Sequence, residues 1–301
     1  MISRTTEGGA TAPAAHPLLY SPVMRKALLL ALLLPACVVG SDGQTPPGGD
    51  DDTDPTDPPD PGEGISGNIK VATTFSGTVN IIGATTIDPG VTVTVMEGTT
   101  LNFSVASNLS VKGTLDILGT KAAPVTLQPA DGSNFFGGLS VAGTLNMTYA
   151  VQRGGPVITT AGSTATIVDS KLFGASGDLI IMNGGTVDMT YSQLGADAGT
   201  TDSTHCNMHF GGSGNTIRVN NSNIVGTPYG LMFYGGQLAD FKLNNWDEGA
   251  TAAADWIDSQ PGVSGDFSGG FFAAGLPTPK TGATFTIDNP AATRLTDAGP
   301  R

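Results

Sequence analysis

The residues best suited to chemistry are few and crowded. Of three histidines and two cysteines in 301 residues, two His and one Cys fall together in Asp202-Ser203-Thr204-His205-Cys206-Asn207-Met208-His209. Imidazole and thiolate are transition-metal ligands, and a Cys near a His is also the pairing of a nucleophile with its base. Two His and one Cys leave a structural zinc set incomplete, and adjacent residues such as His205 and Cys206 point to opposite faces of an extended strand. The cluster therefore reads as a loop with a partly buried Cys that has no catalytic role, and no metal or cofactor is expected.

Carboxylates are the other candidates, because hydrolysis of a glycosidic bond needs a pair of them on one face. Asp169, Asp188 and Asp240 recur near one strand in successive repeats, but their positions against the inward residues read as offset, and Arg153 and Arg218 read as lacking an acidic cluster beside them. Solvated outward aspartates, not a catalytic site, are expected. No phosphate-cradling Gly-x-x-x-x-Gly-Lys and no Gly-x-Ser-x-Gly elbow occurs. With 13 Lys and Arg against 26 Asp and Glu, the net charge of −13 repels nucleic acid.

The positioning elements are short strands cut by Gly or Asn turns. TVNII (78–82), TVTVM (92–96), TTLNFS (99–104), NLSVKG (108–113), TLDILG (114–119) and PVTLQ (124–128) alternate with period two and are rich in β-branched residues. A longer register follows: the pairs Leu145/Met147, Ala165/Ile167, Val187/Met189, Ile217/Val219 and Phe241/Leu243 stand at spacings of 20, 22, 30 and 24. Asn220-Asn221-Ser222 likewise matches Asn244-Asn245-Trp246. A strand-and-turn repeat of about 22 residues implies a solenoid whose coils stack to bury a common core. A sandwich or barrel would not need this register.

These spacings resemble the right-handed parallel β-helix of the pectate-lyase-like superfamily, and residues 84–140 resemble the opening coils of bacterial surface and lipoprotein β-helices. The expected fold is all-β: a right-handed parallel β-helix over residues 65–245, with about eight coils, and a C-terminal cap over 246–301. Trp246, Trp256, Phe267, Phe271 and Phe272 lie within the cap, where residues 250–258 read as a short helix and 289–301 as a frayed tail. An aromatic carbohydrate-binding platform is the alternative reading of that cluster.

The 30-residue spacing between Val187 and Ile217 locates an inserted loop at about 195–207, and loops on rigid scaffolds often carry function. One repeat later, Tyr229 to Gly235 should run beside Met208-His209-Phe210. The candidate binding patch is therefore Asp202, His205, Cys206, His209, Tyr229, Phe233 and Tyr234. The competing reading is that these aromatics fill the inner column.

The N-terminal region addresses the chain. Met24-Arg25-Lys26 precedes the apolar run 27–34 and Pro35-Ala36-Cys37, the layout of a secretory signal peptide too short to span a bilayer. Leu34-Pro35-Ala36-Cys37 resembles the lipobox of bacterial lipoproteins, which implies lipid attachment at Cys37 and removal of residues 24–36. Residues 1–23 then precede the expected translation start. Residues 37–64 form an acidic Pro/Gly/Asp linker, with eight acids and no base in 38–64, expected to be an extended, solvated tether.

The function expected from these features is a lipid-anchored, non-catalytic surface module of the bacterial cell envelope, on the outer membrane or cell surface, with a structural, adhesion or interaction role. The alternative is a polysaccharide-active lyase or hydrolase of the β-helix superfamily. The implied partners are the membrane, through the anchor, and an envelope protein or polysaccharide, with the chain monomeric.

Overall fold

Six threonines explain how the strands find their register. Thr92, Thr114, Thr144, Thr164, Thr186 and Thr216 occupy one column of a sheet, each opposite the next, and each opens a strand whose following residue turns inward. In Thr186–Thr190, for example, Val187 and Met189 are buried while the threonines and Asp188 are half-buried. A β-branched residue on the outer face beside apolar residues on the inner one gives the pleated, one-side-buried pattern that favours a strand. A one-residue slip would expose the whole inward set.

The computed structural model describes residues 64–132, 135–249 and 251–301. Cys37, the signal-like segment and nearly all of the acidic linker lie outside the described residues. Among the described residues every strand pairing is parallel, and no helix occurs. Each full coil holds three strands. The first lies in a ten-stranded sheet that begins with Thr73–Phe75 and ends with Thr284–Thr286. The second and third lie in a seventeen-stranded sheet that turns a corner, because the long strand Thr78–Ile87 pairs with Thr100–Phe103 through one end and with Asn108–Val111 through the other. This is a parallel β-helix with three faces, here called faces 1, 2 and 3. Coils are numbered 1 to 10 by their strand on face 1. Neighbouring coils in such stacking rise by about 4.8 Å.

Inside, the columns run without a break. Leu115, Leu145, Ala165, Val187 and Ile217 stack as one, and Ile117, Met147, Ile167, Met189 and Val219 as another, all at most 5% exposed. Burying each such side chain contributes roughly 1.5–3 kcal/mol. The columns continue through Ala239 and Phe241, not through Phe241 and Leu243, since Arg218 pairs with Asp240. The spacing is 22, and the match of Asn220 with Asn244 shifts by the same two residues: Asn223 pairs with Asn245. Leu243 has φ 58° and is 44% exposed, so its backbone turns it out of the column.

That left-handed conformation belongs to a repeated corner between faces 1 and 2. Tyr149, Asp169, Tyr191, Asn221 and Leu243 all have φ between 46° and 58°. Such residues cost about 1 kcal/mol or more each. A buried ladder at the next position offsets the strain. The Ala150 N–H donates to Ser170 Oγ, Ser170 N–H to Ser192 Oγ, Ser192 N–H to Ser222 Oγ, and Ser222 N–H to Asn244 Oδ1, at 2.8–3.1 Å. Each serine hydroxyl also donates to the carbonyl two residues before it. Asn244 closes the ladder by donating to the Val219 and Phe241 carbonyls.

Two expectations about the C-terminal end change. The cap is built from further coils: Ile257–Ser259 pairs with Tyr229–Phe233, Ser264–Asp266 with Ala239–Asp240, and Thr284–Thr286 with Ser264–Asp266. The segment read as a helix carries turns and the start of the strand Ile257–Ser259, because the coil below offers an unpaired edge. Phe241, Trp246, Phe267 and Phe285 pack together and close the core. The tail is not frayed either. Leu295 exchanges two backbone bonds with the Asn245 side chain, Arg294 pairs with Asp247, and Gly299 N–H donates to the Asn221 carbonyl. Arg301 forks onto the buried Asp169 and lies 3.7 Å from the centre of the Tyr191 ring.

Candidate functional site

The insertion in coil 6 is shorter than the sequence suggested. It occupies residues 195–205 between Gln193–Leu194 and Cys206–Phe210, and Cys206–Phe210 is a regular strand of face 3, paired with Asp178–Met182 below and Tyr229–Phe233 above. Asp202 holds the loop down. Its carboxylate accepts from the N–H groups of Gly174, Thr204 and Ala196 at 3.0, 2.9 and 2.7 Å, which occupies it as a brace of the loop. Thr204 and Ser203 add bonds to the backbone of Ala175.

Three other members of the sequence-derived patch also resolve. Cys206 is fully buried, and its thiol donates to the Met208 carbonyl at 3.0 Å. Burial, reinforced by the Asp178 charge, pushes the thiol up to about 12, so the protonated, unreactive form prevails at neutral pH. Phe233 is fully buried in the aromatic core, edge-on to Phe241 at 5.4 Å, and is not part of a surface patch. For Phe233, the inner-column reading holds. Tyr229 is half-buried, in register with Cys206, and its ring keeps contact with the more exposed His205.

The outward remainder is tightly organised. Asp178 lies between the two imidazoles, 3.1 Å from His205 Nδ1 and 2.8 Å from His209 Nδ1. His205 tilts against Tyr229 at 5.1 Å and His209 stands edge-on to Tyr234 at 5.3 Å. The Tyr234 hydroxyl donates to Asp258 at 2.6 Å, and Lys280 pairs with Asp258 and, at 3.6 Å, with Asp255. Burial raises the Tyr234 hydroxyl above the usual phenol range, helped by its bond to Asp258. Burial alone would raise Asp258, but Lys280, Tyr234 and the Ser259 N–H outweigh it and hold the carboxyl below its ordinary value. At neutral pH this leaves a protonated phenol and an ionised carboxylate, neither poised near neutrality for proton transfer.

An outward column on face 3 then separates one half of the molecule from the other. Reading up the coils, it runs Thr86, Ser110, Ser140, Ile158, Ile181, His209, Met232 and Asp258. The first three are hydroxyls. From coil 4 the same solvent-side position carries Ile158, Ile181 and Met232, all half-buried. Three apolar side chains around His209, flanked by Tyr229 and Tyr234 and rimmed by Asp178 and Asp258, form a mixed apolar and polar strip of the kind that marks an interaction surface. Sequence reasoning missed Ile158, Ile181 and Met232. The available signal was the loss of alternation in Val157-Ile158 and Leu179-Ile180-Ile181-Met182.

Face 1 carries a different outward column. Asp188, Arg218, Asp240 and Asp266 share one register. Arg218 forks onto Asp188 at 2.9 and 2.5 Å, and Lys242 sits 3.5 Å from Asp240 and 3.1 Å from Asp266. Asp188 and Asp240 are thus not offset from each other, and Arg218 does lie among acids. Asp169 stands apart at the corner, held by Arg301. Arg218 and Lys242 pair with these acids, so the column is internally neutralised.

Comparison of the chain with known protein families, with curated proteins and with solved structures finds no match.

Proposed function

We propose that the chain is a non-catalytic interaction module of a bacterial cell envelope, anchored by lipid at Cys37 and engaging an envelope protein or polysaccharide through face 3 of coils 4 to 8. The observation that carries this reading is the exchange of Thr86, Ser110 and Ser140 for Ile158, Ile181 and Met232 at one outward position. Solvent-side isoleucines add nothing to the core, while they remove apolar surface from water when a partner covers them.

The state of the carboxylates supports binding over catalysis. Asp178 is taken by two histidines, Asp258 by Tyr234 and Lys280, Asp188 by Arg218, and Asp202 by three backbone N–H groups. A hydrolase of this architecture needs two acids whose environments drive their proton affinities apart across a space left for the substrate. The alternative enzyme reading is open to direct test. The full chain is incubated with acidic and neutral polysaccharides, with and without calcium, and both retention and released product are measured. The binding reading expects no product, and expects Ile158→Asp and Ile181→Asp to keep the melting temperature while abolishing attachment to whichever envelope component retains the wild type. Reproducible product release reverses it. Mass spectrometry of the native N-terminus should show acylated Cys37, and an unmodified secreted chain would remove the anchor from the proposal.

A further inference from the structure

Residues 291–301 add no strand to the stack. They leave coil 10 after Thr284–Thr286, turn back through Ala292 and Thr293, and run down the corner between faces 1 and 2 from coil 9 to coil 5. Ala292 and Thr293 are exposed and make no hydrogen bond among the described residues, so the turn itself is held by nothing. What holds the rest is polar. Ala291 N–H donates to the Gly270 carbonyl at 2.9 Å, Gly299 N–H to the Asn221 carbonyl at 2.8 Å, and Arg294 to Asp247 at 2.9 Å. Within 291–301 Gly299 alone is buried, and none of these residues joins the core.

The seat beneath them is built into the body. The fully buried Asn245 accepts from the Leu295 N–H at 2.8 Å and donates to the Leu295 carbonyl at 2.9 Å, gripping backbone whatever the side chain. Asp169, 5% exposed, has Arg301 as the sole partner of its carboxylate among the described residues, at 3.0 and 2.8 Å, and Tyr191 lies under the same guanidinium. Gly299 has φ 98°, and a Cβ there would run into the Asn223 amide, so the groove admits glycine at that point. A backbone clamp, a glycine and an arginine thus define what fits. Vacating the groove would strand a buried carboxylate, which is costly, whereas replacing its occupant by an identical segment costs no contact at all.

We propose that this corner is a peptide-docking groove through which two copies of the chain join, each laying residues 294–301 into the other's groove. The exchange is reciprocal and remakes every contact, so it closes at a dimer. Monomer and dimer then differ in whether the segment docks at its own effective concentration or at that of a neighbour. The segment carries Arg294 and Arg301 against Asp297, and it brings positive charge to a chain whose net charge of −13 otherwise keeps copies apart. The strip on face 3 takes no part.

Two measurements on the full chain test this. In the first, samples held overnight at increasing concentration are sedimented. The wild type should pass from monomer to dimer, and Gly299→Ala should stay monomeric, because its segment fits neither its own groove nor a neighbour's; Gly299 lies outside every strand, so the coils stack without it. In the second, a fluorescent peptide of residues 287–301 is titrated by anisotropy. The Gly299→Ala chain, whose groove is free, should bind it on the order of tenfold more tightly than the wild type, whose own segment competes. The same peptide with Arg301→Ala should bind that chain about tenfold more weakly. Ile181→Asp on face 3 should leave both readouts unchanged, which separates this groove from the interaction strip. A wild type monomeric throughout, a Gly299→Ala chain that dimerises like the wild type, or a peptide indifferent to Arg301→Ala would each overturn the proposal.

Discussion

Coils 1 to 3 and coils 6 to 9 obey one rule inside and different rules outside. In the first group the inward residues are mainly aliphatic, with Val93, Val95, Leu101, Leu109 and Val111 fully buried, and the outward ones include the amide ladder Asn80, Asn102 and Gln128 and exposed apolar side chains at Ile82, Met96, Val105 and Leu118. In the second, Phe210, Phe233, Phe241 and Phe267 fill the core, and the outer columns mix Asp, Arg, Lys, His and apolar residues. The backbone registers are equally regular. What a coil needs in order to stack is therefore separable from what it shows to solvent, and the ion pairs among the described residues gather in the later coils.

The harshest way to break the comparison is to charge a shared inward column. Val187→Asp places an unpaired carboxylate at a fully buried position, so the described domain should lose several kcal/mol and fail to fold at ordinary temperatures by circular dichroism. An unchanged melting temperature would mean that the columns are wrongly registered. A milder change asks whether the aromatic end is packed as well as the aliphatic one. Phe241→Ala should cost about 3–5 kcal/mol in denaturant unfolding, whereas Ile117→Val should cost about 0.5–1.5 kcal/mol. A small loss at Phe241 would identify the far end as loosely packed.

Acid should act on the charged end selectively. Burial tends to raise both Asp258 and Asp266, but Lys280 and Tyr234 for the first, and Ser268 and Lys242 for the second, hold them below the ordinary carboxylate value. The stability they contribute is present above the unfolded value, about 3.9, and is lost as pH falls from there through the lower folded values. Hydrogen exchange at pH 3 should accordingly rise in coils 8 and 9 before coils 1 to 3, and Asp258→Asn should narrow the difference. The smallest effect is expected at the strip itself. His205→Ala and His209→Ala should each shift stability by no more than about 0.5 kcal/mol. A loss of several kcal/mol would make these histidines part of the framework and not of a contact surface.

The period was legible because every full coil repeats the same local arrangement, a threonine or other polar residue ahead of an inward apolar one. It slipped by two at Phe241 and Leu243 because the true partner, Ala239, is small, while Leu243 looks apolar and is carried outward by φ 58°. Cys206 was assigned to a loop for a similar reason, since the insertion ends just before it; the alternation of Cys206, Met208 and Phe210 against Leu231 and Phe233 was the signal to follow. For the candidate site, juxtaposition of His205 and His209 with Tyr229 and Tyr234 was readable from the repeat length. Asp178 was not, because it comes from the coil below and lies 27 residues from His205. The bond from Arg301 to Asp169 spans 132 residues and has no local signature.

The buried ladder of Ser170, Ser192, Ser222 and Asn244 bears on how such a chain can lengthen. Each serine step is interchangeable with the next, since one hydroxyl receives an N–H from the coil before it and returns a bond to its own strand. A duplicated coil inserted between Ser170 and Ser222 would bring its own serine and extend the series without a break. Asn244 has two amide hydrogens, and both turn back to carbonyls already laid down. Duplication of a coil is thus accommodated by the ladder upstream of residue 244, whereas coils 9 and 10 stack beyond it on backbone pairing without the ladder.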